Sequence, residues 1–330
     1  MKKNKIEIIH ISPEELKSYQ DFILKAKYKS YTQFREISEE NITKLFFYEV
    51  SELKKKEPYF ILLAKIGEEV IGLLSFHYLS WDSKHFGMKM GRIKHILGNI
   101  NPEMDLKAKE SLIQFALREF KKMNIKHITC RISADDFNAI YVLEQAGFYL
   151  ADTIIEYYFD FRKQEIPQIS HQCELRLYQD SDYEMVKDGI KGIFKGYLGR
   201  FHRDPYLDPK KCDELYEQWM LNSCKGLADD CIVALLDQEF AGFISCEIFY
   251  EINKILPLSF GEMVLIGVSP KFRRRKVCTS MVNFGQHYFK DKVNLVRVAT
   301  QINNFYVQRA WHNLGFLPKY AFHTFHFFIE

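Results

Sequence analysis

EMVLIGVSPKFRRRKVCTSMV (Glu262–Val282) joins an apolar strand, a turn and the start of a helix in one continuous segment. The strand runs to Val268, Ser269 and Pro270 mark the turn, and a basic run from Arg273 to Lys276 precedes small residues that begin the helix. A loop that enters a helix N-terminus presents free backbone N–H groups and the positive end of the helix dipole. Neighbouring arginines add contacts to phosphate oxygens. The segment therefore predicts a loop that binds a pyrophosphate.

The chain contains an internal repeat. CRISADDFNAIYVLEQAGF (Cys130–Phe148) aligns with VATQINNFYVQRAWHNLGF (Val298–Phe316), and the alignment pairs Gly147 with Gly315. VIGLLSF (Val70–Phe76) aligns in the same way with FAGFISC (Phe240–Cys246), and pairs Gly72 with Gly242. Two matches in one order, at nearly the same separation along the chain, indicate that a whole domain was duplicated.

The length of 330 residues suits two domains. RKQEIPQISHQ (Arg162–Gln172) is polar, contains a proline and has no periodicity, which is typical of a linker. We therefore predict domains at 1–165 and 173–330. Each half alternates strand and helix patterns around an early hairpin, which turns at Gly67 in the first half. This order predicts two tandem α/β domains with mixed, mostly antiparallel sheets flanked by helices.

Composition and charge exclude several classes of protein. The chain has 46 basic and 43 acidic residues, a balance that does not favour nucleic acid as a partner. It has no apolar run long enough to span a membrane and no signal-peptide core at its start, so no membrane partner is expected. Seven cysteines without a CxxC pair indicate reduced thiols in a cytoplasmic protein. No metal site is predicted, because His323 and His326 face opposite sides of one strand.

The segment Glu262–Val282 resembles the phosphate loop of the GNAT acyltransferase superfamily, in which Arg or Gln, two residues, Gly, one residue and Gly or Ala follow a strand that ends in Val-x-Pro. Lys276 and Cys278 replace the two small residues, and a lysine is strained wherever the backbone needs a positive φ. The resemblance implies acyl-CoA as co-substrate. It implies that CoA is held by Ile266, Val268, Arg273, Arg274, Arg275, Lys276, Val277, Cys278 and Thr279.

The last strand and helix of the repeat also resemble this superfamily. The resemblance implies that Asn304 contacts CoA and that Trp311 replaces the tyrosine that protonates the leaving thiolate. A tryptophan cannot supply that proton, but its indole N–H can donate a hydrogen bond; the alternative is that Trp311 only packs against pantetheine or the core. Glu262 lies on the strand that enters the loop and is a candidate general base, with a partly exposed strand end as the alternative.

Two further segments, LSWDSKHFGMKMGRI (Leu79–Ile93) and RFHRDPYLDPKKCDELYEQWMLNS (Arg200–Ser223), resemble the dTDP-fucosamine acetyltransferases and related dTDP-amino-sugar N-acyltransferases. The resemblance implies transfer of an acetyl or short hydroxyacyl group, such as 3-hydroxybutanoyl, to the amine of a dTDP-linked 3- or 4-amino-dideoxy sugar used for lipopolysaccharide O-antigen. The candidate sugar-nucleotide residues are Trp81, His85, Phe86, Arg131, Arg200, His202 and Arg203. Core packing of the aromatic residues and a solvated basic loop are the alternatives.

The N-terminal half lacks the basic loop. DLKAKE (Asp105–Glu110) stands at the corresponding position and, with Glu103, places carboxylates where phosphates would bind, which predicts one CoA site per chain. Two alternative functions stay open: a GNAT acetyltransferase of an amino acid or peptide, and a non-catalytic CoA-binding protein. The sequence leaves the oligomeric state open, a homodimer included.

Overall fold

The computed structural model describes residues 5–56, 58–197 and 199–330. The chain forms two compact units. Unit 1 contains the chain up to Thr153 together with Ala321–Glu330, and unit 2 contains Ile154–Tyr320.

Strands and α-helices make up both halves of the described chain. The strands are β1 (Glu7–His10), β2 (Tyr59–Ile66), β3 (Glu69–Tyr78), β4 (Met90–Gly98), β5 (His127–Ser133), β6 (Tyr149–Asp160), β7 (Glu174–Leu177), β8 (Asp230–Leu236), β9 (Glu239–Ile248), β10 (Phe260–Val268), β11 (Leu295–Gln301) and β12 (Leu317–Phe328). The α-helices are α1 (Gln20–Lys25), α2 (Glu39–Ser51), α3 (Ser80–Phe86), α4 (Pro102–Lys122), α5 (Phe137–Gln145), α6 (Tyr183–Gly189), α7 (Pro209–Asn222), α8 (Tyr250–Ile255), α9 (Val277–Phe289) and α10 (Phe305–Asn313). None of the helices in the described ranges has the length and apolar character needed to cross a membrane.

Each unit contains a mixed sheet with helices packed against it. The strand order is β1-β2-β3-β4-β5-β12 in unit 1 and β6-β11-β10-β9-β8-β7 in unit 2. The pairs β4–β5 and β10–β11 are parallel, and the other pairs within each unit are antiparallel. The predicted class, tandem α/β domains with mostly antiparallel sheets flanked by helices, is confirmed.

The two halves of the chain exchange their last strands. β12, at the C-terminal end, pairs with β5 of unit 1, from Phe322 opposite Ser133 to Phe328 opposite His127. β6, from the N-terminal half, pairs with β11 of unit 2. Unit 1 is therefore discontinuous in sequence, and the division at 1–165 and 173–330 stays a prediction about the repeat.

The secondary structure follows the predicted repeat. β3 and β9 begin at the aligned residues Glu69 and Glu239, and α5 and α10 begin at the aligned residues Phe137 and Phe305. The hairpin turns at Gly67 as predicted, with a φ of 60°. Between β1 and α2, the chain forms a 3₁₀ turn, Glu15–Tyr19, followed by the short helix α1.

A repeated glycine lets α4 of unit 1 and α9 of unit 2 lie close against the sheet. A Cβ atom at Gly72 would lie 2.8 Å from Ala108 Cβ of α4, and one at Gly242 would lie 2.7 Å from Met281 Cε of α9. Any larger residue would push the helix away from the strand, because interiors are packed without spare space. The match between these two glycines in the repeat thus has a packing origin.

Phe325→Ala and Phe159→Ala test the strand exchange. Phe325 is 1% exposed in the core of unit 1 and Phe159 is fully buried in the core of unit 2, although each comes from the other half of the sequence. Each substitution should destabilise the fold by about 3–5 kcal/mol, because it leaves a cavity. Hydrogen exchange should show Phe325→Ala lowering protection in β5, and Phe159→Ala in β11. The reverse pattern would contradict the exchange.

Candidate functional site

Two neighbouring strands of unit 2 separate part of the way along their length. β10 and β11 pair only from Phe260 opposite Leu295 to Glu262 opposite Arg297, although both strands continue beyond these residues. The register of β10 against β9 also shifts between Met263 and Ile266, which marks a β-bulge. We call the opening between residues 263–268 of β10 and 298–301 of β11 the strand gap.

Backbone N–H groups of β10 point into the strand gap. The N–H of Leu265 donates to Ser245 Oγ at 3.1 Å and that of Ser269 donates to the Ala241 carbonyl at 2.9 Å, both toward β9. Successive N–H groups along a strand point to opposite edges. The N–H groups of Ile266 and Val268, two predicted CoA contacts, therefore face the strand gap.

The loop after β10 delivers a helix N-terminus that lacks a cap. Lys276 is the residue before α9 and makes no side-chain capping bond. The first N–H groups of a helix have no acceptor within it, so those of Val277, Cys278 and Thr279 are available to an anion. Lys276 has a φ of 58° and Arg274 a φ of 63°. The lysine thus adopts the left-handed conformation that suits the glycine of the superfamily.

The basic residues of the loop have different surroundings. The guanidinium of Arg273 donates to the Ile193 carbonyl at 2.7 Å and holds the loop against the segment before α7. Arg275 lies 3.6 Å from the Asp237 carboxylate, and both side chains are exposed. Arg274 and Lys276 are also exposed. The loop therefore uses Arg273 for its own anchoring, although all four basic side chains are exposed.

Two other residues predicted to contact CoA, Asn304 and Cys278, lie beside the strand gap. Asn304 follows β11 and precedes α10, and its side-chain amide donates to Thr300 Oγ1 at 3.0 Å. Burial raises the pKa of Cys278 to about 11, so this thiol is neutral and acts as a small apolar side chain near pH 7.

Trp311 on α10 is 2% exposed and belongs to the core of unit 2. Its ring packs edge-on against Tyr157, at 5.7 Å between centroids, and the Tyr157 hydroxyl donates to Gln308 Oε1 at 3.0 Å. The structure therefore shows the packing role. The indole N–H has no hydrogen-bond acceptor among the described residues, so its donation to a leaving thiolate stays a prediction.

Glu262 belongs to an ion-paired network. Arg297 donates to Glu262 and, at 2.8 Å, to Glu156 Oε1 on β6. Glu247 stands directly opposite Glu262 on β9. Burial, the Glu262 carboxylate and Asp229 raise the pKa of Glu247 to about 7, while Arg297 lowers it. Sequence reasoning missed Glu247 and Arg297, although a glutamate inside the apolar strand FAGFISCEI was a signal.

The basic residues of the predicted sugar-nucleotide set that lie in unit 2 precede α7. The guanidinium of Arg200 packs over the Phe201 ring at 4.5 Å, and Arg203 is exposed. His202 Nε2 lies 2.7 Å from Asp213 Oδ1, and its ring stacks on Tyr216 at 5.8 Å. Arg200 and His202 are thus held by the fold of this segment and are not freely solvated.

This segment covers the sheet face that carries Glu262. The Tyr197 hydroxyl donates to Gln301 Oε1 at 2.5 Å. Gln301 and Arg297 lie on one face of β11, because they are separated by an even number of positions, and Arg297 is the cross-strand neighbour of Glu262. The structure therefore places the segment that contains Arg200, His202 and Arg203 on the same side of the sheet as the carboxylates.

The other predicted sugar-nucleotide residues belong to unit 1. Trp81 and His85 on α3 stack at 5.4 Å with parallel rings, and Trp81 is 43% exposed. Phe86 is 5% exposed, which agrees with the core-packing alternative for this residue. Arg131 lies on β5, exposed, and donates to Thr324 Oγ1 at 3.3 Å.

The counterpart of the CoA loop in unit 1 is closed by the chain itself. The side chain of Asn101 caps α4 by accepting from the N–H groups of Glu103 and Met104, at 3.0 and 3.2 Å. The fully buried ammonium of Lys109 lies 3.0 Å from Asp105 Oδ2 and 2.6 Å from Asp136 Oδ1. Asp136 occupies the position that aligns with Asn304 of unit 2 in the repeat. This arrangement leaves no uncapped helix N-terminus for a phosphate in α4.

Lys276→Gly and Lys276→Ala separate backbone strain from charge at the loop. Both remove the ammonium, but only glycine adopts a positive φ without a steric penalty. We expect the glycine variant to be more stable than the alanine variant by about 1 kcal/mol in denaturant unfolding. Equal stabilities would show that the left-handed backbone at this position costs nothing.

Comparison with known proteins agrees with this architecture. Residues 196–316 match the model of the acetyltransferase (GNAT) family. No curated protein matches the chain by sequence. A tandem GNAT protein from the clavulanic acid biosynthesis pathway superimposes with a TM-score of 0.58 at 13% identity, covering 98% of both chains.

Two further solved structures are similar. A GCN5-related N-acetyltransferase from Sphaerobacter thermophilus has a TM-score of 0.64 at 11% identity, covering 98% of this chain and 95% of its own. A GCN5-related glucosamine N-acetyltransferase region of a fungal multi-domain GH3 β-N-acetylglucosaminidase has a TM-score of 0.66 at 12% identity, covering 99% of this chain and 38% of that longer chain. The protein thus has the fold of these tandem GNAT structures, and its residues 196–316 match the model of the GNAT acetyltransferase family.

Proposed function

We propose that this protein is an acyl-CoA-dependent N-acyltransferase that acylates the amine of a dTDP-linked 3- or 4-amino-dideoxy sugar, a precursor of surface polysaccharide. The observation that carries the proposal is the strand gap of unit 2, which leads directly to the uncapped N-terminus of α9. An acyl-CoA thioester fits both features, because its long polar arm can lie in the strand gap while its pyrophosphate binds at the helix N-terminus.

CoA is bound by backbone groups more than by side chains. The N–H groups of Ile266 and Val268 hold the pantetheine arm in the strand gap, and those of Val277 to Thr279 hold the pyrophosphate. The exposed cations of the loop, Arg274, Arg275 and Lys276, add charge-assisted contacts to phosphate oxygens. Asn304 contacts the arm from the opposite strand.

Catalysis relies on positioning and on backbone polarisation. The N–H of Ile266 or of Val268 polarises the acyl carbonyl as an oxyanion forms. The amine nitrogen attacks the thioester carbon, and CoA leaves as a thiolate that the indole N–H of Trp311 stabilises by a hydrogen bond. The proton of the amine is accepted within the group of carboxylates that includes Glu262 and its neighbour Glu247.

The acceptor is an amino sugar linked to a nucleotide. The segments 79–93 and 200–223 resemble dTDP-amino-sugar N-acyltransferases, and the GH3-linked structural neighbour is described as a glucosamine N-acetyltransferase region. Arg200, His202 and Arg203 supply cationic and hydrogen-bonding groups for a diphosphate or sugar on the carboxylate face of the sheet. In unit 1, the residues proposed to contact the sugar nucleotide are the stacked pair Trp81–His85, Phe86 and Arg131.

The acyl group is acetyl or a short hydroxyacyl such as 3-hydroxybutanoyl. Three positions near the thioester end depart from the superfamily pattern: Lys276, Cys278 and Trp311. A pocket altered at these positions accepts a longer acyl chain, although one methylene discriminates by only about 1–3 kcal/mol.

CoA should bind once per chain, in unit 2. Calorimetry should give one site, and Arg275→Ala should weaken binding by about 1.5–3 kcal/mol for each charged hydrogen bond that it makes. Lys107→Ala, at an exposed cation on the corresponding helix of unit 1, is the matched control and should leave the affinity unchanged. Two sites per chain, or none, would contradict the proposed single site.

The substrate is tested by competition between acyl donors and acceptors. We expect turnover with dTDP-3-amino or dTDP-4-amino dideoxy sugars, and a kcat/KM for 3-hydroxybutanoyl-CoA at least equal to that for acetyl-CoA. A clear preference for acetyl-CoA removes the larger acyl group. Acetylation of an amino acid or peptide, with no turnover of either sugar, would instead favour an amino-acid or peptide acetyltransferase. CoA binding without any turnover would indicate a non-catalytic CoA-binding protein.

A further inference from the structure

A row of polar side chains crosses four strands of unit 2 on one face of the sheet. Glu247 on β9 is opposite Glu262 on β10, which is opposite Arg297 on β11, which is opposite Tyr158 on β6. Cross-strand partners project from the same face. The row therefore brings two carboxylates and one guanidinium side by side at the point where β10 and β11 separate.

The equivalent row of unit 1 has different chemistry. The alignment of the two repeats matches Glu247 with His77, Glu262 with Arg92 and Arg297 with Thr129. His77 lies opposite Arg92, and Arg92 lies opposite Thr129, so the geometry of the row is kept. The carboxylates of the row therefore belong to the unit with the open strand gap and the uncapped helix, which links them to the chemistry of that gap.

Arg297 forms ion pairs with Glu262, which is in the row, and with Glu156, which is outside it. Its two terminal nitrogens donate to Glu262 and Glu156, and Glu156 also accepts from the Tyr158 hydroxyl at 3.0 Å. The Glu262 carboxylate is thus occupied by a salt bridge within the row. Glu262, the base expected from the sequence, is therefore the less suitable of the two carboxylates.

Glu247 lies one strand further out, and no hydrogen bond reaches its carboxyl group from the described residues. It is half-buried beside charged groups on three neighbouring segments: Glu262 on β10, Asp229 before β8 and Arg297 on β11. Burial and the two acidic neighbours raise the pKa of Glu247 to about 7. A carboxyl group with this pKa both accepts and releases a proton near neutral pH.

The location also suits proton transfer. Glu262 is the last residue of β10 that pairs with β11 and immediately precedes the bulge between Met263 and Ile266, and Glu247 lies one strand spacing, about 5 Å, farther from the strand gap. A glutamate side chain and one water molecule cover such a distance. The segment anchored by Tyr197 lies over the same face of the sheet. An acceptor amine held by that segment would therefore face the carboxylates.

We propose that Glu247 is the proton acceptor for the attacking amine, and that Glu262, held by Arg297, is a positioning residue that keeps Glu247 ready to take the proton. This inference rests on the proposed function. It assigns the base of that reaction to a residue on the strand beside the expected one.

The proposed step balances without another reactant. The amine nitrogen forms a bond to the thioester carbon, and the carbon–sulfur bond breaks as the electron pair leaves with sulfur. The proton from nitrogen moves to the Glu247 carboxylate, and from there to the departing thiolate. The products are the amide and CoA with a free thiol.

Glu247→Gln tests the proposal through the pH dependence of the rate. With acetyl-CoA and a dTDP-4-amino-dideoxy sugar, the wild-type rate should rise with pH through about 7, as Glu247 ionises. The variant should lose this rising limb of the pH profile. Its kcat should fall by about 10²–10⁴-fold, the usual contribution of a general base. Its CoA affinity and melting temperature should be unchanged. A limb caused by the amine itself should remain in both enzymes.

Two further variants identify the roles in the row. Glu262→Gln should shift the limb to lower pH without abolishing it, because the facing negative charge that raises the pKa of Glu247 is removed. Glu251→Gln, at an exposed glutamate paired with Lys254 in the same unit, should leave the profile unchanged. Loss of the limb in Glu262→Gln, with the limb retained and kcat within about threefold in Glu247→Gln, would overturn the assignment.

A titration that needs no turnover separates this inference from the proposed function. Carboxyl ¹³C NMR of the wild type, assigned by difference from Glu247→Gln, should show one glutamate that titrates near 7. A value near the ordinary 4.3 would overturn the inference even if the enzyme is active. Absence of acyl transfer to either sugar in the wild type, with the titration near 7 present, would instead overturn the proposed function.

Discussion

The parallel pairing of β10 with β11 stops after Glu262 and Arg297, and the site of unit 2 depends on this interruption. Backbone N–H groups in a sheet are normally used by the neighbouring strand. Here, because of the bulge and the divergence of β10 and β11, the N–H groups of Ile266 and Val268 face the strand gap instead. Because the next segment is a helix without a cap, the same stretch of chain presents a row of donors followed by a positive helix end. An extended ligand with amide, thioester and phosphate groups is complementary to that sequence of donors.

The N-terminal repeat fills the corresponding region with its own side chains. In unit 1, β4 and β5 also pair over a short stretch, from Met90 opposite His127 to Ile93 opposite Cys130. The helix that follows β4 is capped by its own Asn101, and Lys109 is buried between Asp105 and Asp136. A buried ammonium is tolerated only with such partners, and removal of one partner of a buried ion pair typically costs about 3–5 kcal/mol. Unit 1 thus satisfies internally the polar groups that unit 2 leaves for a ligand.

The carboxylates of unit 2 stand beside the point where its strands diverge. The positions of Glu247 and Glu262 are those of His77 and Arg92 in unit 1, where burial is the main cause that lowers the pKa of His77 to about 4. One fold with one register therefore supports an acidic pair in one copy and a basic pair in the other. Glu247 gains its altered proton affinity from its acidic neighbours and from burial, and neither effect is a property of one residue alone.

The sequence by itself determined the duplication, the tandem α/β fold, the hairpin at Gly67 and the position of the basic loop, because these depend on local patterns and on spacing along the chain. It also identified Lys276 as a residue at a glycine position, and the positive φ there follows from the turn geometry of the loop. Only the tertiary structure decided that the two halves exchange their last strands, because hydrogen-bond partners that lie far apart along the chain leave no local signal. It likewise decided that Arg297 takes Glu262 into an ion pair and that Glu247 stands beside it, because strand register, and not sequence spacing, determines which side chains meet across a sheet.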